Sequence, residues 1–267
     1  MLVLLACTAP ARPGESPALT ETGDTARPAE TGDTAPPVET GETGDTGTPV
    51  VPDYCPAAEA DLQEVTDTPA SPYFVRHPEA PDERTPTVVY LPGGAGDRGG
   101  ALTIDRLYLA GADGLGEFRT VVPYTDGSRD FSSRSVYERA AAVRDELFAC
   151  WGGDAERAHL GGTSNGGIGS FALMAEAPEG WASLLGAPGA WEDFDADAIA
   201  ATLGGRPVYM GVGAEDSDWL PAVESQAEEL ETAGADVTFV AFEGQTHVVD
   251  EEFDETVLFD FWRAAAP

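Results

Sequence analysis

From about residue 53 onward, short apolar segments alternate with longer segments whose apolar residues recur at helical spacing. The run TVVYL has the character of a buried strand, whereas SVYERAAAVRDELFACW has the spacing of an amphipathic helix, with Ser135 as its predicted N-cap. The pattern predicts strands within 72–78, 85–97, 119–124, 157–164, 181–191, 206–216 and 236–244. It predicts helices over 101–117, 135–151, 168–177, 195–203, 219–233 and 249–265.

Regular alternation of strands and helices is typical of an α/β fold. It predicts a mainly parallel sheet with helices on both faces, formed by a globular domain at 53–267. In such sheets ligands bind beyond the carboxyl ends of the strands. We therefore expect catalytic or binding residues in the loops that follow the strands.

Residues 8–52 have a different composition. ETGDTARPA, ETGDTAPPV and ETGETGDTG follow one another at 21–47, rich in Thr, Gly, Pro and acidic residues and without aromatic side chains. Such a segment buries too little apolar area to offset its chain entropy, so we expect a disordered, self-repelling acidic tether. Calcium-binding repeats are the alternative, but no segment has the twelve-residue spacing of an EF-hand loop.

The formal net charge is −34, and all 14 basic side chains are arginine. Nucleic acids and anionic membrane surfaces repel such a chain, so neither is an expected partner. A solvated acidic surface explains the charge, and adaptation to salt is the alternative.

The first residues, MLVLLAC, resemble a bacterial lipobox in which Cys7 would carry lipid. Two features depart from that pattern, because the apolar stretch before Cys7 is short and no basic residue precedes it. A start codon placed too far downstream would explain both, and a plain apolar N-terminus is the alternative. With a signal remnant at 1–7, we expect the protein outside the cytoplasm, in the bacterial cell envelope or secreted. Cys55 and Cys150 would then be available for a disulfide, or remain two unpaired buried thiols.

GTSNG at 162–166 fits the pattern G-x-S-x-G between a predicted strand and a predicted helix. A serine on such a sharp turn leaves no room for side chains two residues away on either side, which explains Gly162 and Gly166. The context favours Ser164 as a nucleophile over a tight turn with a capping serine.

A serine nucleophile needs a histidine base and an acid that orients it. Of the three histidines, His77 and His159 precede Ser164, and only His247 follows it, in a loop after the last predicted strand. In hydrolases with this elbow the order along the chain is Ser, acid, His. AEDSDW, after the strand at 206–213, offers the acid: Asp216 is our choice. The alternatives are Asp218, Glu215, and, after the preceding strand, Glu192 or Asp193.

An oxyanion requires backbone N–H donors. We expect one from Asn165, directly after the serine, and one from Gly94 or Ala95 in the loop PGGAGD. A plain turn is the alternative interpretation of that loop.

Over roughly 70–265 the chain resembles the α/β-hydrolase superfamily. Within it, GGTSNGG is similar to the elbow of secreted esterases such as polyhydroxybutyrate depolymerases, feruloyl esterases and acetyl xylan esterases. Members commonly have His-Gly after the strand preceding the oxyanion loop, where this chain has Pro92 and Gly93.

The resemblance implies hydrolysis of carboxylic esters through an acyl-enzyme, without a metal or an organic cofactor. We expect a monomer acting on a small-molecule or polymeric ester and touching the membrane only through a lipid at Cys7. A serine peptidase of the same fold and a non-catalytic surface-binding module are the alternatives. A histidine base implies that activity falls below neutral pH.

Overall fold

The computed structural model describes residues 51–59, 61–109, 116–192 and 194–265. Cys7, the signal remnant at 1–7 and nearly all of the tether predicted at 8–52 therefore lie outside the described residues. None of the helices in the described part has the length and apolar character needed to cross a bilayer.

The described residues form one eight-stranded sheet. Its strands are β1 (Gln63–Val65), β2 (Tyr73–Arg76), β3 (Thr87–Leu91), β4 (Arg119–Pro123), β5 (Ala158–Gly162), β6 (Ser183–Gly186), β7 (Val208–Gly213) and β8 (Val237–Phe242). The order across the sheet is β1-β2-β4-β3-β5-β6-β7-β8. Only β1 with β2 and β2 with β4 pair antiparallel, so six consecutive strands direct their carboxyl ends to one edge.

Helices cover both faces of the sheet. They are α1 (Arg98–Ile104), α2 (Arg134–Tyr137), α3 (Arg139–Trp151), α4 (Asn165–Glu176), α5 (Ala196–Leu203), α6 (Leu220–Thr232) and α7 (Thr256–Ala264). Alternate residues of β3 point to opposite faces: Val89 and Leu91 pack with α2 to α6, and Val88 and Tyr90 pack with α1 and α7. The predicted parallel sheet with helices on both faces is confirmed.

The helix predicted over 135–151 begins earlier and is divided into α2 and α3. The prediction that Ser135 is its N-cap was therefore wrong. The chain turns into α2 at Ser133, whose carbonyl accepts the N–H groups of Val136 and Tyr137. The Ser135 hydroxyl instead accepts a hydrogen bond from Arg129 at 3.2 Å.

Two other predicted helices differ from their expected bounds by more than one turn. The closing helix begins at Thr256 and not at 249, because the carboxylates of Asp250 and Asp254 accept the N–H groups of Glu252 and Thr256 and hold two turns there. The helix predicted over 101–117 is α1 followed by a π-helical turn at Asp105–Leu109, and 110–115 lie outside the described residues.

The segment preceding β1 is fastened to the end of α3. Cys55 and Cys150 form a disulfide, and the Trp151 indole donates to the Pro56 carbonyl at 3.1 Å. Arg119, the first residue of β4, donates to the Gly152 carbonyl at 2.6 Å. This attachment therefore lies at the amino ends of the parallel strands, opposite to the edge where their carboxyl ends meet.

Candidate active site

Ser164 lies at the junction of β5 and α4, in a backbone conformation that residues other than glycine rarely adopt. Its φ is +56° and its ψ −122°, and it is the one non-glycine residue with a positive φ in the described part of the chain. Such a conformation costs about 1–3 kcal/mol and persists only where its surroundings enforce it. Here its N–H donates to the Pro188 carbonyl at 2.7 Å.

Backbone atoms lie so close to the glycines of GTSNG that no other residue fits at these positions. A Cβ at Gly166 would lie 2.0 Å from the Leu91 carbonyl oxygen, and a Cβ at Gly162 would lie 2.3 Å from the Gly166 carbonyl oxygen. Gly167 meets the Pro188 carbonyl oxygen in the same way, at 2.3 Å. β3, the elbow and the loop after β6 thus approach too closely for any side chain at these positions, as the sequence pattern indicates.

The structure brings Ser164, His247 and Asp216 together. His247 Nε2 lies 3.0 Å from Ser164 Oγ, and His247 Nδ1 lies 2.7 Å from Asp216 Oδ2. An imidazole that donates Nδ1–H to a carboxylate leaves Nε2 to accept the serine proton. The three side chains come from the loops after β5, β7 and β8, which share the carboxyl edge of the sheet.

Among the candidate acids, burial and contact single out Asp216. Its side chain is only 5% exposed and faces the imidazole, whereas Asp218, Glu215 and Glu192 are exposed. The remaining candidate, Asp193, lies outside the described residues.

His77 and His159 occupy other parts of the molecule. His159 is fully buried in β5, its Nδ1 is 2.9 Å from the Ser183 hydroxyl, and burial lowers its pKa to about 3. His77 is buried against the edge of Trp151, and burial together with the nearby Arg119 charge lowers its pKa to about 4. Both imidazoles are therefore neutral parts of the core.

The loop proposed to bind an oxyanion contacts the elbow directly. Gly96 N–H donates to the Gly93 carbonyl at 3.1 Å, closing a tight turn in which Gly94 has a φ of +60°. A Cβ at Gly93 would lie 3.0 Å from Ser164 Cβ, so the turn lies beside the serine. The Asn165 side chain donates to the Gly94 carbonyl at 3.0 Å and joins the two segments. Pro92, which occupies the position of the usual histidine, does not prevent this approach.

Two supporting residues were missed by sequence reasoning. The Trp219 ring lies 5.3 Å from the His247 ring, and the backbone N–H of Trp219 donates to Asp216 Oδ1 at 3.2 Å. Below the elbow, Thr163 Oγ1 donates to the Ala187 carbonyl and lies 2.8 Å from the Tyr90 hydroxyl. The position of Trp219 three residues after Asp216, at the start of α6, was the only sequence signal of its role.

Within the described residues, no group of three or more His, Cys, Asp or Glu side chains is arranged to hold a metal ion.

No protein-family model matches the sequence, and no curated protein is detectably similar to it. Solved structures are similar in fold. A thermostable esterase has a TM-score of 0.57 at 19% identity, covering 68% of this chain, which spans only 55% of that protein.

Three other structures are matched over most of their length. The feruloyl esterase module from Clostridium thermocellum, solved with sinapinate, has a TM-score of 0.55 at 13% identity and covers 72% of this chain and 89% of that one. A truncated carbohydrate esterase from gut microbiota has a TM-score of 0.55 at 12% identity, with coverage of 80% and 98%. An α/β-hydrolase enzyme from a deep-sea metagenome library has a TM-score of 0.53 at 15% identity, with coverage of 77% and 98%. Together with the strand order, this likeness establishes that the chain has the α/β-hydrolase fold.

Proposed function

We propose that the protein is a serine hydrolase that cleaves carboxylic esters through an acyl-enzyme, with Ser164, His247 and Asp216 as its catalytic triad. The observation that carries this proposal is the unbroken chain of contacts from Ser164 Oγ through the imidazole to a buried carboxylate, at 3.0 and 2.7 Å. The strained conformation of Ser164 supports it, because such strain clusters at functional sites.

In the acylation step, His247 Nε2 takes the proton of Ser164 Oγ as the oxygen attacks the ester carbonyl carbon. The carbonyl oxygen becomes an oxyanion, and the charge on the imidazolium is balanced by Asp216. When the tetrahedral intermediate collapses, the bond to the alcohol oxygen breaks. The imidazolium then gives its proton to the leaving alcohol.

Deacylation repeats the step with water. His247 takes a proton from the water as the water oxygen attacks the acyl carbon. The imidazolium then gives this proton to Ser164 Oγ as the carboxylic acid leaves. Asn165 N–H is in the first turn of α4, where N–H groups have no acceptor within the helix. We assign it, with the N–H of Gly94 or Ala95, to the oxyanion in both steps.

The site needs no metal or organic cofactor for this chemistry. A small-molecule or polymeric ester is the proposed substrate, in keeping with the three esterases of similar fold described above. We propose that the protein acts as a monomer, since the contacts of the triad are complete without a residue from a second copy.

Labelling and turnover test the proposal together. A fluorophosphonate probe is expected to label Ser164, and both labelling and hydrolysis of a short-chain nitrophenyl ester are expected to vanish in Ser164→Ala. Unchanged turnover in that variant would refute the assignment. Absence of labelling in the wild type would favour a binding module, and faster cleavage of peptide arylamides than of matched esters would indicate a peptidase.

We further propose that the protein works outside the cytoplasm, attached to the cell envelope by a lipid at Cys7 and an acidic tether over 8–52. The disulfide between Cys55 and Cys150 supports this location, because disulfides persist in oxidising compartments. Mass spectrometry of the mature N-terminus tests the anchor: a diacylglyceryl Cys7 is expected, and an unmodified Cys7 would refute it.

A further inference from the structure

Gln245 lies two residues before His247 and holds the segment that carries it. It is buried, with 6% of its surface exposed. Its Nε2 donates to Asp250 Oδ1 at 3.2 Å, and its Oε1 accepts the Asp250 N–H at 2.8 Å. These two hydrogen bonds join the ends of the segment 245–250, with His247 between them.

The backbone of the same residue is tied to the loop that carries the acid. Glu215 N–H donates to the Gln245 carbonyl at 2.9 Å, next to Asp216. A Cβ at Gly213 would lie 2.4 Å from the Gln245 carbonyl oxygen and 2.1 Å from that of Thr246. The segment 245–250 therefore rests directly on the end of β7, from which the loop with Asp216 begins.

An amide is the side chain that suits this position. It donates one hydrogen bond and accepts another on the same flat group, which matches the carboxylate and the N–H of Asp250. A glutamate would keep the acceptor but would place a second carboxylate against Asp250.

We propose that Gln245 is a positioning residue: it fixes the imidazole of His247 at hydrogen-bond distance from Asp216. This inference rests on the proposed function for its effect on catalysis, but its effect on the bond between His247 and Asp216 can be measured in the free protein. Small displacements of a catalytic base lower the rate of the chemical step more than substrate binding.

The test compares Gln245→Ala with Gln63→Ala. Gln63 is a matched control, because it is equally buried, with 6% of its surface exposed, and its amide also accepts one hydrogen bond and donates another. Its Oε1 accepts the Glu59 N–H at 3.3 Å and its Nε2 donates to the Ala57 carbonyl at 2.9 Å. Both variants are expected to lose similar thermal stability. Gln245→Ala is expected to lower kcat by about 10- to 100-fold with little change in KM, whereas Gln63→Ala should leave kcat close to the wild type, because β1 lies at the edge of the sheet opposite to β8.

The low-field proton resonance of His247 Nδ1–H reports the bond to Asp216 without any substrate, and its loss in Asp216→Asn identifies it. We expect it to broaden or disappear in Gln245→Ala and to persist in Gln63→Ala. An unchanged resonance and equal kcat in the two alanine variants would overturn the proposal. If the wild type hydrolyses no ester, the proposed function fails, whereas the resonance still decides the role of Gln245.

Gln245→Glu is the second variant, in case the alanine variant does not fold. It is expected to lower kcat as well, because the carboxylate faces Asp250. Combining it with Asp250→Asn, which restores a donor opposite the new carboxylate, is expected to recover part of the loss. No recovery in the double variant would argue against the hydrogen bond as the cause.

Discussion

His247 and Asp216 come from separate loops, after β8 and β7, and are joined by a 2.7 Å hydrogen bond between Nδ1 and Oδ2. Asp218, two residues further along, is exposed. Asp216→Asn is therefore expected to lower kcat by about 10³- to 10⁴-fold, because an amide favours the wrong imidazole tautomer. Asp218→Asn is the control and should remain close to wild type in an assay of nitrophenyl ester hydrolysis. A larger loss of kcat in Asp218→Asn than in Asp216→Asn would show that Asp218 is the acid.

The strain at Ser164 predicts an effect on stability. Ser164→Gly and Ser164→Ala both remove the hydroxyl, but only glycine adopts a φ of +56° without cost. We expect the glycine variant to exceed the alanine variant by about 1 kcal/mol in the free energy of unfolding. Denaturant titration of the two variants gives this difference. Equal stabilities would show that the conformation is not strained.

The close approach of Gly166 to Leu91 predicts that a methyl group cannot be accepted there. A Cβ at Gly166 would lie 2.0 Å from the Leu91 carbonyl oxygen, and the three atoms nearest to it all belong to the backbone. Gly166→Ala is expected to lose activity and about 3 kcal/mol or more of stability.

Gly99→Ala in α1 is the matched control, since its nearest atom is Asp97 Oδ1 at 3.4 Å, an ordinary contact. It should fold with unchanged or slightly higher stability. Thermal unfolding and the ester assay compare the two variants. A Gly166→Ala variant with full activity would contradict the geometry of the elbow.

The buried histidine of β5 predicts loss of stability in acid. Burial lowers the pKa of His159 from 6.5 to about 3, so between these values the unfolded chain binds a proton that the folded chain does not. The contribution of His159 to stability is complete above pH 6.5 and is lost as the pH falls toward 3.

His159→Asn keeps a group that can bond the Ser183 hydroxyl and removes this titration. The free energy of unfolding, measured against pH, should be flatter in this variant by up to about 1.4 kcal/mol per pH unit in that window. His77 titrates in the same direction and is present in both proteins, so their difference isolates His159. Parallel curves would contradict the buried neutral state.

Much of the architecture was available from the sequence for a physical reason. Strands buried on both faces appear as short, mainly apolar runs, and the helices between them appear as an apolar period of three to four residues, so the alternation of elements is local information. The pattern GTSNG is also local, because glycines flank Ser164 wherever backbone crowds a sharp turn. Two elements were less predictable. β1 is only three residues long, too short for a periodic pattern. The start of α7 is set by side chains, because the carboxylates of Asp250 and Asp254 accept backbone N–H groups and hold turns before it.

The tertiary structure decided which of several equivalent residues meet. Asp216, Asp218 and Glu215 are neighbours in an acidic loop, and only the direction in which that loop leaves β7 buries Asp216 against His247. The contacts of Gln245 with Asp250 and Glu215, and of Asn165 with Gly94, join segments whose pairing has no periodic signature. The sequence by itself determined the fold class and the order of the proposed serine, acid and histidine. Which carboxylate faces the histidine, and which groups hold the site together, depend on distances that only the packed chain sets.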